Sequence, residues 1–155
     1  MYFKDLTKYE YHGDLEDSLN IGWLENGHLF NQGSVSEKFM DKLWGYLRYP
    51  VRIFRGFHTC DLCEKPNTGV PVVEYKGQKR KVGYYEMRVW GKDGNVYAAP
   101  SLIFHYILQH GYQPPQEFID AVMDSENPDS DEYYQKVLAY SKGEDFWLAQ
   151  DRTCI

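Results

Sequence analysis

The sequence predicts a single α+β domain, an antiparallel β-meander flanked by about four helices and built around a zinc knuckle. Three observations carry this. Between Val70 and Ala98, runs of β-branched and aromatic residues alternate with turn formers, the pattern of paired strands. Before and after them, apolar residues recur at helical spacing. Finally, Cys60-Asp61-Leu62-Cys63 is followed by His105 and His110, four soft ligands of the kind a tetrahedral zinc ion takes.

At 155 residues the chain fits one domain and is long enough to bury roughly two thirds of its unfolded surface. Residues 1–123 read as a core containing the knuckle, the meander and helices; residues 124–155 read as an acidic link and a C-terminal helix. Within the first thirty residues periodicity is poor. Asn26-Gly27, the commonest two-residue hairpin turn, sits between Ile21–Glu25 and His28–Phe30 and predicts a short hairpin. A helix follows from about Val35 to Leu47. Ser34 and Glu37 have capping-box spacing, Phe39, Met40, Leu43, Trp44 and Leu47 form its apolar stripe, and Pro50 ends it.

Val51–Arg55 reads as a strand leading into the knuckle, and Glu64–Gly69 as a loop. Val70–Tyr75, Val82–Trp90 and Asn95–Ala98 are the three strands of the meander, with Tyr84, Glu86, Arg88 and Trp90 on one side. Their turns are Lys76–Arg80 and Gly91–Gly94. Pro100 opens a helix over Ser101–His110 with Gly111 just past its end. Leu102, Ile103, Tyr106 and Ile107 form its buried face. Pro114-Pro115 starts a third helix with the stripe Phe118, Ile119, Val122 and Met123. A fourth, Asp131 to about Tyr140, docks through Tyr134, Val137 and Leu138. The tail ends Phe146-Trp147-Leu148 and Cys154-Ile155.

Charge and composition narrow the function classes. The formal charge is −6, from 23 acidic and 17 basic residues, which disfavours nucleic-acid binding. No apolar run approaches the about 20 residues a bilayer crossing needs, and the charged start Met1–Leu6 does not read as a secretory signal. Three cysteines, two of them in C-x-x-C, fit a reducing compartment, hence the cytoplasm. The 14 tyrosines and 4 tryptophans suit either a protein–protein interface or the rim of a core. Lys76, Lys79, Arg80 and Lys81 form one basic cluster, read as a solvated turn. Asp124, Glu126, Asp129, Asp131 and Glu132 form an acidic run without calcium-loop spacing. His12 and His28 read as surface residues.

The order knuckle, hairpin, helix resembles that of treble-clef zinc modules, in which the helix supplies the remaining ligands. Such modules place those ligands in the first helical turn, whereas His105 falls in the second and His110 at the end. Five residues advance an ideal helix by about 500°, leaving the two imidazoles roughly 140° apart. His110 therefore joins His105 only where the last turn opens at Gly111, and His58 is the rival fourth ligand. Four protein ligands close a zinc shell and make it structural. The alternative is a zinc-dependent hydrolase, with His58, Cys60, Cys63 and His105 around an open metal and Glu86 as general base. No deaminase signature, H-E-x-x-H, Walker loop, G-x-S-x-G or G-x-G-x-x-G is present. The Glu64–Asn67 composition after the cysteines lacks the helix start that a thioredoxin-type pair needs.

Several phrases together resemble an uncharacterised family of small bacterial cytoplasmic proteins. They are Tyr2–Tyr11, Gly22-Trp23-Leu24, His58–Cys63, Tyr97–Tyr106 and Tyr112–Ile119, within residues 1–123. The resemblance implies a stand-alone cytoplasmic protein without an assigned activity, of a size and look shared with toxin-neutralising immunity proteins. The sequence thus predicts a non-enzymatic, Zn2+-stabilised domain that binds another protein, of which a toxin is one candidate.

Overall fold

The computed structural model describes residues 1–11, 17–65 and 68–141. Expectations for His12, for Pro66-Asn67 within the knuckle loop and for the tail after Ser141 fall outside these residues. The chain forms β1 (Ser18–Asn20), α1 (Glu37–Tyr46), β2 (Arg52–Ile53), β3 (Val72–Tyr75), β4 (Gln78–Lys81), β5 (Tyr85–Trp90), β6 (Val96–Pro100), α2 (Ile103–His110), α3 (Gln116–Asp124) and α4 (Asp131–Ser141). This is an α+β domain with four helices among the described residues.

The strands divide into two sheets where one meander was expected. β3 and β4 make a separate hairpin, and a second sheet runs β1-β6-β5-β2. In it β1 is parallel to β6, while β5 is antiparallel to both β6 and β2. The break falls at Gly83. Its φ is +92°, and a Cβ there would collide with the His58 carbonyl, so the chain leaves the hairpin and passes tightly under the backbone of the knuckle. The Gly83 amide donates to Ser101 Oγ at 2.8 Å, and its carbonyl accepts the His58 amide at 2.7 Å. The Lys76-Gly77 turn has positive φ at both positions, the twist a two-residue hairpin loop needs.

The expected Asn26-Gly27 hairpin does not form either. Gly27 makes the turn at φ +94°, but its flanks pair elsewhere: Trp23 bridges to Phe3 and Gln32 to Tyr112. Helix α1 starts two residues later than the Ser34 cap implies. Ser36 is the N-cap, and its Oγ accepts the Phe39 amide at 3.1 Å. Two further faces need correction. Met123 is exposed on α3, with Ala121 buried in its place. On α4 the fully covered residues are Tyr133, Val137 and Tyr140; Tyr134 and Leu138 are half-buried. The Lys76–Lys81 cluster is the solvated hairpin turn expected, with Lys76, Lys79 and Lys81 exposed; it touches α1 where Lys76 pairs with Glu37 (2.6 Å) and Asp41 (2.8 Å) and Arg80 lies over the Trp44 ring. The acidic run is likewise partly neutralised, Glu126 by Lys136 (2.6 Å) and Asp129 by Arg48 (3.8 Å).

Alternation along β5 separates two interiors. Tyr85, Met87 and Val89 join the main core with residues of α1, α2 and α3, where Phe118 meets Phe39 and Tyr97, and Trp44 meets Phe104. Glu86, Arg88 and Trp90 have the opposite parity. Glu86 and Arg88 are both fully buried. Arg88 donates to Glu86 at 2.8 Å, and the Tyr9 hydroxyl donates to the same carboxylate at 2.8 Å. The guanidinium also lies 4.5 Å from the Tyr9 ring centre and 5.5 Å from that of Tyr140. Burial, with the Glu86 charge next, pushes the Tyr9 phenol far above its ordinary range. Tyrosines are spent inside the molecule: Tyr85, Tyr112 and Tyr133 are buried and each donates to a carbonyl or carboxylate, as buried phenols must.

A buried ion pair is weak evidence of net stabilisation, but removing one partner strands the other charge. Glu86→Ala is expected to cost about 3–5 kcal/mol in a urea titration; an unchanged midpoint would show that the pair is not held as described.

Candidate metal centre

The knuckle lies between β2 and β3. Its approach is fixed by backbone bonds from Val51 to Glu86, Phe54 to Tyr84 and His58 to Gly83, so the strand ladder runs past β2 and delivers Cys60 at the end of α2. Cys60 is 8% exposed and Cys63 half-buried. The turn aims the Leu62 and Cys63 amides at the Cys60 sulfur, which lowers its pKa, but burial outweighs them and pushes the thiol up to about 11. A coordinated cation reverses that balance by deprotonating the thiol outright.

The two histidines come from α2. They converge because the last turn is wider than α. The Gly111 amide donates to the Tyr106 carbonyl, five residues back instead of four, and Tyr112 reaches the same oxygen at 3.2 Å. Gly111 takes the left-handed conformation, φ 66°, that lets the chain turn away there. The divergence expected of an ideal helix is thereby removed, and the His105 and His110 rings sit 5.2 Å apart.

Sγ of Cys60 lies 3.3 Å from His110 Nε2, and Sγ of Cys63 lies 3.3 Å from His105 Nε2 and 3.4 Å from His110 Nε2. All four donor atoms fall within 4.8 Å of one another and could hold a metal ion. Metal–sulfur bonds of about 2.3 Å and metal–nitrogen bonds of about 2.0 Å, set tetrahedrally, separate S from N by about 3.5 Å. The observed spacings fit that edge. Burial, followed by the neighbouring His110, holds His105 below its ordinary pKa, so its neutral, ligating form persists into mild acid.

His58 is not in this group; it is exposed and its ring meets Phe54 edge-on. Glu86 is not in it either, being bound to Arg88 and Tyr9. What the sequence did not reveal is the loop that the centre organises. The Asn26 amide donates to Asp61 Oδ1 at 3.0 Å, and Gln32 Nε2 donates to the His110 carbonyl at 3.1 Å. Residues 26–32 are thus pinned at one end to the knuckle and at the other to the helix end. These partners are 35 and 78 residues apart in sequence, and no local pattern announces them.

Fold and centre together define a small α+β domain in which a C-x-x-C turn and a helix end meet in a Cys2His2 group. The model of the family described as domain of unknown function (DUF7919) matches residues 1–123, and the chain belongs to that family. The match stops at the end of α3, so α4 lies beyond it. No curated protein and no solved structure matches the chain.

Metal removal provides the test. A strong chelator is expected to lower the melting temperature by about 10 °C, the scale of about 3 kcal/mol for a chain of this length. Cys60→Ala and His105→Ala should melt at the chelated temperature and show no further response. Acid acts in the same direction: His105 binds its proton more readily unfolded than folded, so stability falls as pH drops through the imidazole range. Identical melting with and without chelator would contradict this.

Proposed function

We propose that the protein is a non-enzymatic binding domain, stabilised by a structural Zn2+ on Cys60, Cys63, His105 and His110, that works by docking another protein. Two thiols and two imidazoles, without a carboxylate, are a donor set that suits zinc over the oxygen-seeking Mg2+ and Ca2+. Four protein ligands complete a tetrahedron and leave no place for a reacting water. The hydrolase alternative gains no support, because its base, Glu86, is occupied by Arg88 and Tyr9 in the interior. Thiolate ligation fits a reducing compartment, the cytoplasm, and no helix among the described residues is long and apolar enough to cross a membrane.

The observation that carries the docking role is Leu29. It is 99% exposed, between the Asn26 and Gln32 anchors that tie its loop to the knuckle and to the end of α2. An apolar knob on a loop tied at both ends loses less freedom when a partner covers it than one on an untied loop. With a chain charge of −6, the favoured partner is a basic protein, and an immunity-type inhibitor that covers a basic toxin surface is the finer form of this reading.

Leu29→Asp is expected to keep the metal and the melting temperature while losing at least about tenfold in affinity, or 1.4 kcal/mol, for the protein that cross-links to residue 29 in cells. Retained affinity, or the absence of any cross-link at residue 29, would overturn the docking role and leave the metal intact.

A further inference from the structure

The two sulfurs of the metal centre are not equally covered. Cys60 is 8% exposed, and its sulfur is wrapped by the Leu62 and Cys63 amides. Cys63 is half-buried and lines an open surface depression with Leu62, Val72, His105 and His110. Cys63 therefore lines a hollow wide enough for a small molecule, from whose lining Cys60 is absent, and the two sulfurs lie within 4.8 Å of each other.

We infer that Cys63 is an oxidation site for small hydroperoxides, with Cys60 as its resolving thiol, and that oxidation ejects the metal. The inference rests on the zinc reading above. In the first step the Cys63 sulfur attacks the terminal peroxide oxygen. An S–O bond forms, the O–O bond breaks, and the leaving hydroxide takes a proton to become water. The sulfur has then lost two electrons and is a sulfenic acid. In the second step the Cys60 sulfur attacks Cys63 Sγ, an S–S bond forms, the S–O bond breaks, and a second water leaves. In sum, two metal-bound thiolates, one hydroperoxide and two protons give one disulfide, two waters (one water and one alcohol for an alkyl hydroperoxide) and a free metal ion. His105 and His110 alone are too few ligands to retain it.

The order of attack follows from access. A thiolate screened by protein is inert, whereas an accessible one beside a resolving cysteine is the arrangement of a redox-sensing pair. The product also changes the fold locally. A disulfide ties the knuckle only to itself, so no ligand bond joins it to the end of α2, and the two anchors of the loop carrying Leu29, Asp61 and the His110 carbonyl, are no longer linked through the metal.

The test uses the zinc-loaded full chain with Cys154→Ser, so that the tail thiol does not consume oxidant. Hydrogen peroxide is added stepwise, released zinc is read with a chromogenic chelator, and the cysteines are mapped by peptide mass spectrometry. The expected result is one zinc released per peroxide consumed, a Cys60–Cys63 disulfide, and zinc rebinding after a thiol reductant. Brief alkylation of the unoxidised protein should label Cys63 before Cys60. Zinc retained with both thiols reduced under excess peroxide, Cys63 oxidised to sulfonic acid without a disulfide, or Cys60 labelled first would overturn the inference and leave the zinc reading standing. A chain that holds no zinc before peroxide is added would overturn the zinc reading itself and this inference with it.

Discussion

The closure between the knuckle and the end of α2 is the constraint on which the molecule depends. Cys60 and His110 are 50 residues apart, and the segment between them contains β3, β4, the two central strands β5 and β6, and α2. Bringing its ends together costs loop entropy that grows slowly with length, a cost that a cation held by Cys60, Cys63, His105 and His110 would offset with four ligand bonds made at once. The described elements outside the closed segment pack onto it. α1 covers the β3–β4 hairpin through Trp44 and the Lys76 pairs, α3 meets Tyr97 through Phe118, and the 26–32 loop spans from Asp61 to His110.

The opposite parity of the same central strand holds the second polar device, the Tyr9–Glu86–Arg88 cluster. It solves a different problem. Among the described residues the N-terminal segment has little regular structure, three residues of β1 and isolated bridges, and backbone bonds such as Tyr9 to Ser18 and Asn20 to Thr7 set its register. Tyr9 adds a directed hydrogen bond from its hydroxyl to a buried carboxylate that Arg88 holds from the same strand. A buried charge pair used this way contributes position more than stability. It also removes Glu86 from the chemistry of the metal centre.

The helices and the Cys2His2 cluster were legible in the sequence because each leaves a local trace. The Leu102–Ile107 face of α2 and Gly111 at its end are properties of one turn of chain, and Cys60-x-x-Cys63 with two histidines is a ligand count. Boundaries were less legible: Ser34 and Ser36 both offer a capping hydroxyl, and only packing of the helix decides between them. Sheet partition was not legible. The strand character of Val70–Tyr75 and Val82–Trp90 is local, but the break at Gly83 is imposed by the His58 backbone, more than twenty positions away. β1 was invisible for a related reason, since the three residues Ser18-Leu19-Asn20 are too few to establish alternation and gain their place from β6. The pairing of His105 with His110 was the instructive case. Ideal helix geometry argued against it, and a terminal turn closed five residues back permits it.

The central claim is that a metal ion closes this ring of chain through four protein ligands. Native mass spectrometry of the untagged protein, with the metal-edge X-ray absorption spectrum of the same sample, tests it most directly. The account predicts one divalent ion per chain, with two sulfur neighbours at about 2.3 Å and two nitrogen neighbours at about 2.0 Å. A chain without metal, or a metal bound mainly by oxygen with an open position, would contradict it.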